Sequence, residues 1–331
     1  MASRESDWRR EAENSILLKS VSHWREKPDR WFRGSYDRLP ETVRVNPMSE
    51  EKDWVESWLS GIGANRIPWF SGPGSAWEMP FERGSAEEEV KSLMSALHET
   101  GRITRQEAVS MLPVLALDPT PGQIILDLCA SPGSKTTQIC EHLGDSGAVV
   151  ANEVISGRVN TLVTNVQRHA SRTVLVVQHD GRHIPRVPGS GFDGVLVDVP
   201  CTGSGTTRKN PDVWGKWRPS SGRSLHSLQY DLLTRAIELT KPGGRVVYST
   251  CSLDPIENEA VVARVLAGGK VRVVPRGDSL SGVPSNPGMT NWPLLNDKGE
   301  LDNESKSEEY LIPTKDMAVS SQLNECLRVW N

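Results

Sequence analysis

The chain has 331 residues, 24% charged and 37% hydrophobic, with a formal net charge of −4, which is ordinary for a globular protein of one large or two smaller domains. Five cysteines, odd in number and without a repeating spacing, exclude a disulfide framework and point to a reducing compartment, here the cytoplasm. The slightly acidic balance gives no global attraction to nucleic acid, so such a partner must be met by a local basic patch.

The polar start, MASRESDWRREAEN, predicts no export signal, and without a long apolar run no membrane span is expected. There is no C-x-x-C pair, and no metal site is expected. Residues 1–85 hold Trp8, Trp24, Trp31, Trp54, Trp58, Trp69 and Trp77 among arginines. Aromatics interleaved with arginine can clamp nucleic acid, but such tryptophans more often fill the core of a small domain. Thr42–Asn46 alternates as a strand, and Ser49–Leu59 predicts a helix with Trp54, Val55, Trp58 and Leu59 on one face. This predicts a small α/β domain, a candidate for RNA contact, closed by the turn-rich segment Ile67–Ser75.

From residue 86 to 331 a second domain is expected. Val90, Leu93, Met94 and Leu97 mark a helix, and Thr104, three residues before Glu107, predicts another running through Leu112. Alternation then begins: strand Ile124–Cys129, a small-residue turn at Pro132-Gly133, and a helix from Thr136 to Gly144. Strand Ala148–Glu153, helix Arg158–His169, strand Thr173–Asp180 and strand Gly194–Pro200 follow. Strands alternating with helices imply a parallel, doubly wound sheet. The turn after the first strand brings backbone N–H groups toward a ligand, but the G-x-x-x-x-G-K spacing of a phosphate loop is absent. Glu153 stands 20 residues after Gly133, the offset at which an acid commonly takes ribose hydroxyls. With Asp180 it favours an adenosine-type ligand over the solvated loop charges these acids would otherwise be.

Two cysteines close similar strands. Cys201 follows the apolar run Gly194–Pro200, and Cys251 ends Tyr248-Ser249-Thr250-Cys251 before the break at Pro255 and the acidic, helix-starting Glu257-Asn258-Glu259. Free cysteines are often just small core residues. Two thiols past the carboxyl ends of buried strands, each with a proline nearby, can instead meet over one substrate.

The segments CASPGSKTT (129–137), DVPCTGSGTTRKNPDVW (198–214) and YSTCSLDPIENEAVV (248–262) resemble the motifs of Sun-type RNA cytosine-5 methyltransferases, nearest the tRNA-modifying branch. The resemblance covers residues 36 to 330. It implies a Rossmann-like class I methyltransferase sheet behind a small α/β N-terminal domain, S-adenosylmethionine as cofactor, and RNA, with tRNA expected, as partner; a monomer is expected, although no residue fixes the oligomeric state. It makes Cys251 the nucleophile and Cys201 the group that assists product release, with Asp198 at the cytosine N3/N4 edge and Lys135 nearby. It lines the cofactor pocket with Cys129, Ala130, Ser131, Pro132, Gly133, Ser134, Lys135, Glu153, Asp180 and Asp198. Ser131 stands where alanine is common and Glu153 where aspartate is usual. Rival readings are an rRNA enzyme, a DNA enzyme with the Pro-Cys thiol as nucleophile, and a non-catalytic RNA- or adenosylmethionine-binding protein.

Beside the thiols, Arg208, Lys209, Trp214 and Trp217 offer cationic and stacking groups for RNA, or a surface charge pair and a packed loop. Arg158, Arg168, Arg172, Arg182 and Arg186 add either phosphate contacts or a solvated face. After strand-like Val271–Val274 the sequence turns rich in Ser, Pro, Asn, Asp and Gly. The Gly-Phe-Phe strand with which the resembled family completes its sheet has no counterpart, so either the sheet is completed differently or an unpaired edge is left in it.

Overall fold

The structure, a computed structural model, describes residues 2–144, 146–275, 277–302 and 308–330. Helices α1 (Ala2–Glu13), α2 (Ile16–Trp24) and α3 (Pro28–Gly34) come first. The hydroxyl of Ser15 caps α2 by accepting the Leu18 amide at 3.1 Å. An antiparallel sheet follows, built from β1 (Pro40–Val45), β2 (Asn65–Arg66), β3 (Ser75–Glu82) and β4 (Ile103–Arg105) in the order β2-β3-β1-β4. Helices α4 (Lys52–Gly61) and α5 (Glu88–Glu99) close its core of Val43, Val45, Val55, Leu59, Trp77, Met94 and Leu97.

Two expectations change here. The helix expected from Thr104 does not start there, because Thr104 is committed to the ladder opposite Arg44; helical turns begin at Ala108, leading into α6 (Leu112–Leu117). A three-residue strand leaves too little periodicity to be distinguished from a helix cap. Consequently the first sheet draws in residues beyond the boundary expected at 85. The tryptophans also divide between cores: Trp77 lies in this sheet, Trp24 and Trp31 pack with Trp214 and Trp217 of the second half, and Trp54 is 52% exposed.

The second sheet is parallel, order β7-β6-β5-β8-β9, from β5 (Ile124–Asp127), β6 (Ala148–Asn152), β7 (Val174–Val177), β8 (Phe192–Asp198) and β9 (Thr240–Ser249). Helices α7 (Ser134–Leu143), α8 (Ser156–His169), α9 (Val213–Lys216) and α10 (Pro219–Leu239) lie between strands. Both faces of the central strands are covered, which is why their sequences read as apolar runs. Leu126, Val195 and Val197 face Leu232, Ala236 and Leu239 of α10, while Ile125 and Leu196 face Val114, Ile139 and Leu143 of α6 and α7.

The order reverses between β5 and β8, placing a crevice at the carboxyl ends of these strands. Among the described strands β9 pairs with β8 alone. Val271–Val274 joins no ladder, so the strand read there from β-branched residues is corrected. The last segment docks on α11 (Glu259–Leu266) instead. β10 (Asn286–Pro287) pairs with β11 (Leu327–Arg328), α12 (Met317–Leu323) packs beside them, and Arg328 binds Glu259 and the Leu253 carbonyl. No described helix is long and apolar enough to cross a membrane.

Candidate active site

The crevice is built from strand ends. Asp127, Asn152, Asp198 and Ser249 finish β5, β6, β8 and β9. Residues 128–133 turn from β5 into α7, and Gly133 stands at φ +108° with the methyl of Leu162 at 3.0 Å from where a Cβ would lie. A side chain there meets both a disfavoured backbone and a filled space. The turn is held from behind: Arg158 donates to the Ser131 carbonyl at 2.8 Å and Asn165 to the Pro132 carbonyl at 2.6 Å. Cys129, Ala130, Ser131, Pro132, Ser134 and Lys135 line the open cleft, with the Cys129 thiol pushed up by burial.

Lys135 reaches across to Asp198, Nζ to Oδ2, at 2.7 Å, and the other Asp198 oxygen accepts the Ser249 hydroxyl at 2.7 Å. Burial works against the Lys135 charge, but the Asp198 carboxylate outweighs it and raises the ammonium above its ordinary pKa. Beside this pair the two thiols meet, Cys201 Sγ to Cys251 Sγ at 3.1 Å. Cys251 is exposed and lines the cleft; Cys201 is half-buried behind it. Their environments push them apart. Either thiol can donate in this contact; with Cys201 as donor the bond lowers the Cys251 pKa against burial and the Asp198 charge, with Lys135 assisting, while Cys201 is raised by that same bond and by burial. Cys251 therefore ionises first, the state a thiol nucleophile needs.

The backbone fixes this meeting. Gly205 donates its amide to the Cys251 carbonyl at 2.9 Å, and a Cβ on Gly205 would stand 2.9 Å from that oxygen. Gly205→Ala is expected to displace the Cys251 turn and cut turnover roughly 10-fold or more, while thermal unfolding shifts little. A measured rate unchanged from the parent would contradict the tightness of this contact.

Sequence reasoning missed Asp127, hidden inside an apolar strand. It is 1% exposed, its Oδ2 accepts the Thr136 hydroxyl at 2.7 Å, and its Oδ1 lacks a hydrogen-bond partner. Burial raises its pKa to about 7, with Asp198 adding to the effect. Asp254, buried beside Glu257, is raised to about 8. Both carboxyls hold protons in the folded chain that the unfolded chain releases near pH 4, so each disfavours folding as pH rises from about 4 toward 7 or 8. We expect unfolding measurements to show stability falling across that window by roughly a few kcal/mol, and Asp127→Asn to flatten its lower part. A flat profile in the parent would contradict these shifts.

Glu153 and Asp180 lie apart from the cleft walls. Glu153, 3% exposed, accepts the Ile155 amide at 2.9 Å and pairs with Arg158 at 3.3 Å, so it is tied to the 129–135 turn through the arginine that holds Ser131. Asp180 is gripped by Arg182 at 2.7 Å, which lowers its pKa to about 2. Trp214 and Trp217 are buried, so the packed-loop reading holds and the stacking reading is corrected. Arg208 donates to the Asp37 and Arg38 carbonyls, binding the loop after Cys201 to the segment after α3. Cleft-lining Trp8, Arg9, Tyr36, Arg83, Arg105 and Lys209 supply the aromatic and cationic rim, with the Arg9 guanidinium 5.5 Å from the Trp8 ring centre. His179 and His183 stand four apart, but among the described residues no group of three or more His, Cys, Asp and Glu is placed to hold a metal.

A parallel sheet reversing at β5, with a glycine turn and acids at its strand ends, is the Rossmann-like sheet of class I methyltransferases. The family model described as "16S rRNA methyltransferase RsmB/F" matches residues 114–293, more than half of the sequence, and the chain belongs to that family. The chain is 42% identical over 251 residues to the multisite-specific tRNA:(cytosine-C(5))-methyltransferase of Saccharomyces cerevisiae, covering 70% of this chain and 36% of the relative. It is 45% identical over 213 residues to the tRNA (cytosine(34)-C(5))-methyltransferase of Drosophila melanogaster, covering 59% and 29%. The chain thus spans about a third of the length of these curated relatives. A solved methyltransferase homolog from Pyrococcus horikoshii superposes with a TM-score of 0.66 at 28% identity, covering 93% of this chain and 90% of that one.

Proposed function

We propose that this chain is an S-adenosylmethionine-dependent RNA cytosine-5 methyltransferase acting on tRNA in the cytoplasm as a monomer, and that the rim of its N-terminal part contacts the RNA. One observation carries this reading: two thiols 3.1 Å apart, of unequal acidity, beside a Lys135–Asp198 ion pair at the edge of a class I sheet. The names of the relatives support tRNA as substrate.

The chemistry calls for this set of groups. Carbon 5 of cytosine is a poor nucleophile while the ring is aromatic, so the Cys251 thiolate first adds to carbon 6, forming a C–S bond as N3 is engaged by a proton or hydrogen bond. Asp198, fixed by Lys135 and Ser249, is placed to hold that N3/N4 edge. Bound S-adenosylmethionine supplies an electrophilic methyl to the resulting enamine. The carbon-5 proton then leaves to a base and the C–S bond breaks, returning Cys251, with Cys201 assisting this release. The target base must be turned out of any folded RNA to reach strand-edge thiols.

The residues present fit the cofactor. Asp127 directs a buried, unpartnered carboxylate oxygen at the cleft, a complement for an ammonium group. We assign Cys129–Lys135, Glu153, Asp180 and Asp198 to the same pocket, with Arg158 holding Glu153 against the turn. Asp180 serves only where Arg182 yields one of its oxygens.

A second reading, methylation of small-subunit ribosomal RNA, is favoured by the description of the matching family. Incubating the chain with methyl-labelled S-adenosylmethionine and unmodified tRNA, small-subunit rRNA or duplex DNA separates the readings. We expect label in 5-methylcytosine of tRNA. Label in rRNA alone selects the second reading, and label in none, with cofactor bound, leaves a non-catalytic binding protein.

A further inference from the structure

Glu257 was read as a helix-starting acid, but α11 begins two residues later and Glu257 is fully buried. No lysine or arginine pairs with it among the described residues. Its carboxylate instead collects four donors: the Thr202 amide at 2.9 Å, the Thr202 hydroxyl at 2.5 Å, the Ser252 hydroxyl, and the Gln229 amide group at 3.0 Å. Thr202 directly follows Cys201, and Ser252 directly follows Cys251. One carboxylate therefore holds the residue after each thiol.

The neighbours complete the bracket. Gln229 of α10 donates to the carbonyl of Pro200, the residue before Cys201, at 2.9 Å. Asn258 accepts the hydroxyl of Thr250, the residue before Cys251, at 2.6 Å, and donates to the Ser252 carbonyl at 2.9 Å. Ser204 Oγ lies 3.0 Å from Ser252 Oγ and accepts the Leu253 amide at 2.7 Å, a second tie between the two loops. Burying an unpaired carboxylate is costly, and four hydrogen bonds are what make it tolerable. Packing alone would be served better by an apolar side chain of the same volume.

We infer that Glu257 is a positioning residue that sets the distance between Cys201 and Cys251, and so governs the step in which the methylated base is released. The inference rests on the proposed cytosine-5 chemistry. Addition at carbon 6 needs only Cys251 beside the base, whereas release also needs Cys201 within reach of the adduct. Loosening the shared carboxylate therefore slows release more than addition. The negative charge of Glu257 also opposes ionisation of Cys251, so its loss favours the thiolate.

The test compares the parent with Glu257→Gln and Glu257→Asp, taking thermal unfolding and S-adenosylhomocysteine binding as measures of folding. Glutamine brings an amide NH₂ among four donors; aspartate is too short to reach both loops. With tRNA and S-adenosylmethionine we expect turnover to fall roughly 10- to 100-fold in both. The fraction of protein trapped on RNA in a denaturing gel should rise several-fold above the parent, although Cys201 is intact. Adding Glu257→Gln to Cys201→Ala should raise it no further than Cys201→Ala alone. Adduct and turnover falling together, in proportion to the folded fraction, would reduce Glu257 to a stability role and overturn the inference.

A second readout does not depend on methylation. Phenylarsine oxide bridges two thiols held at this separation, so Glu257→Gln should bind it roughly tenfold more weakly than the parent, from lost preorganisation. Equal arsenical affinity in a folded variant would overturn the inference even if the parent methylates no RNA. A parent inactive on every RNA, with that tenfold loss intact, would instead sink the proposed activity and leave the thiol register standing.

Discussion

Cys251→Ala is expected to abolish methyl transfer, with a loss of at least ~10³-fold, because it removes the thiolate proposed to add to carbon 6. Cofactor binding should be untouched, since Cys251 stands on the β9 side of Asp198 and the 129–135 turn lies on the other. Cys201→Ala should also stop turnover but with the opposite signature, RNA held on the protein through a C–S bond that no longer breaks. This asymmetry follows from the pair's electrostatics. The hydrogen bond between them lowers the Cys251 pKa and raises that of Cys201, so Cys251 is the first of the two to ionise. Losing Cys201 also removes the largest influence lowering the Cys251 pKa, so adduct formation in Cys201→Ala should reach its maximum at higher pH than in the parent. A radiolabel assay run from pH 6 to 9 checks both statements.

The second large effect concerns stability and lies at the seam between the two sheets. Arg44 of β1 is fully buried and sends a two-pronged contact to Glu141 of α7, at 2.7 and 2.8 Å. It also donates to the Ser134 carbonyl and the Thr137 hydroxyl, both at 3.2 Å, on the first turn of the helix that follows the cofactor-side loop. His169 approaches the same carboxylate at 3.0 Å. Burial opposes the Glu141 charge, and Arg44 and His169 outweigh it. Arg44→Met should leave that charge buried and short of its main partner, a loss of roughly 3–5 kcal/mol in denaturant unfolding. Adding Glu141→Gln should recover part of this loss. If the double variant is no better than Arg44→Met, the charge is not what Arg44 neutralises.

Much of the catalytic half was legible because its strands are buried on both faces. Ile124–Asp127, Ala148–Asn152 and Phe192–Asp198 read as apolar runs closed by polar residues, and that closure marks the ligand edge of the sheet. The positions of Cys201 and Cys251 past two such runs followed directly. Their contact did not, since it depends on β8 and β9 being neighbours in register, Asp198 opposite Ser249.

What stayed hidden is non-local. The helices over residues 2–34 fold against Trp214, Trp217 and Leu295, so the tryptophans around Trp24 and Trp31 could not reveal their partners by spacing. Asp127 looks like one more residue of a strand, and only the buried, unpartnered oxygen sets it apart. Glu257 resembles any acid before a helix until its four donors, drawn from segments up to 55 residues away, are brought around it. Val271–Val274 shows the reverse error. Its β-branched residues favour a strand, but an isolated segment gains no ladder without an edge brought alongside it.

The most direct test is to identify the atom that carries the RNA. Cys201→Ala, incubated with unmodified tRNA and S-adenosylmethionine, should run as a slow band on a denaturing gel. Digestion and mass spectrometry of that band should place a methylated cytidine on the peptide containing Cys251, and the band should vanish in Cys201→Ala/Cys251→Ala. A nucleotide attached to another residue, or a band that survives loss of Cys251, would contradict the assignment of Cys251 as the nucleophile.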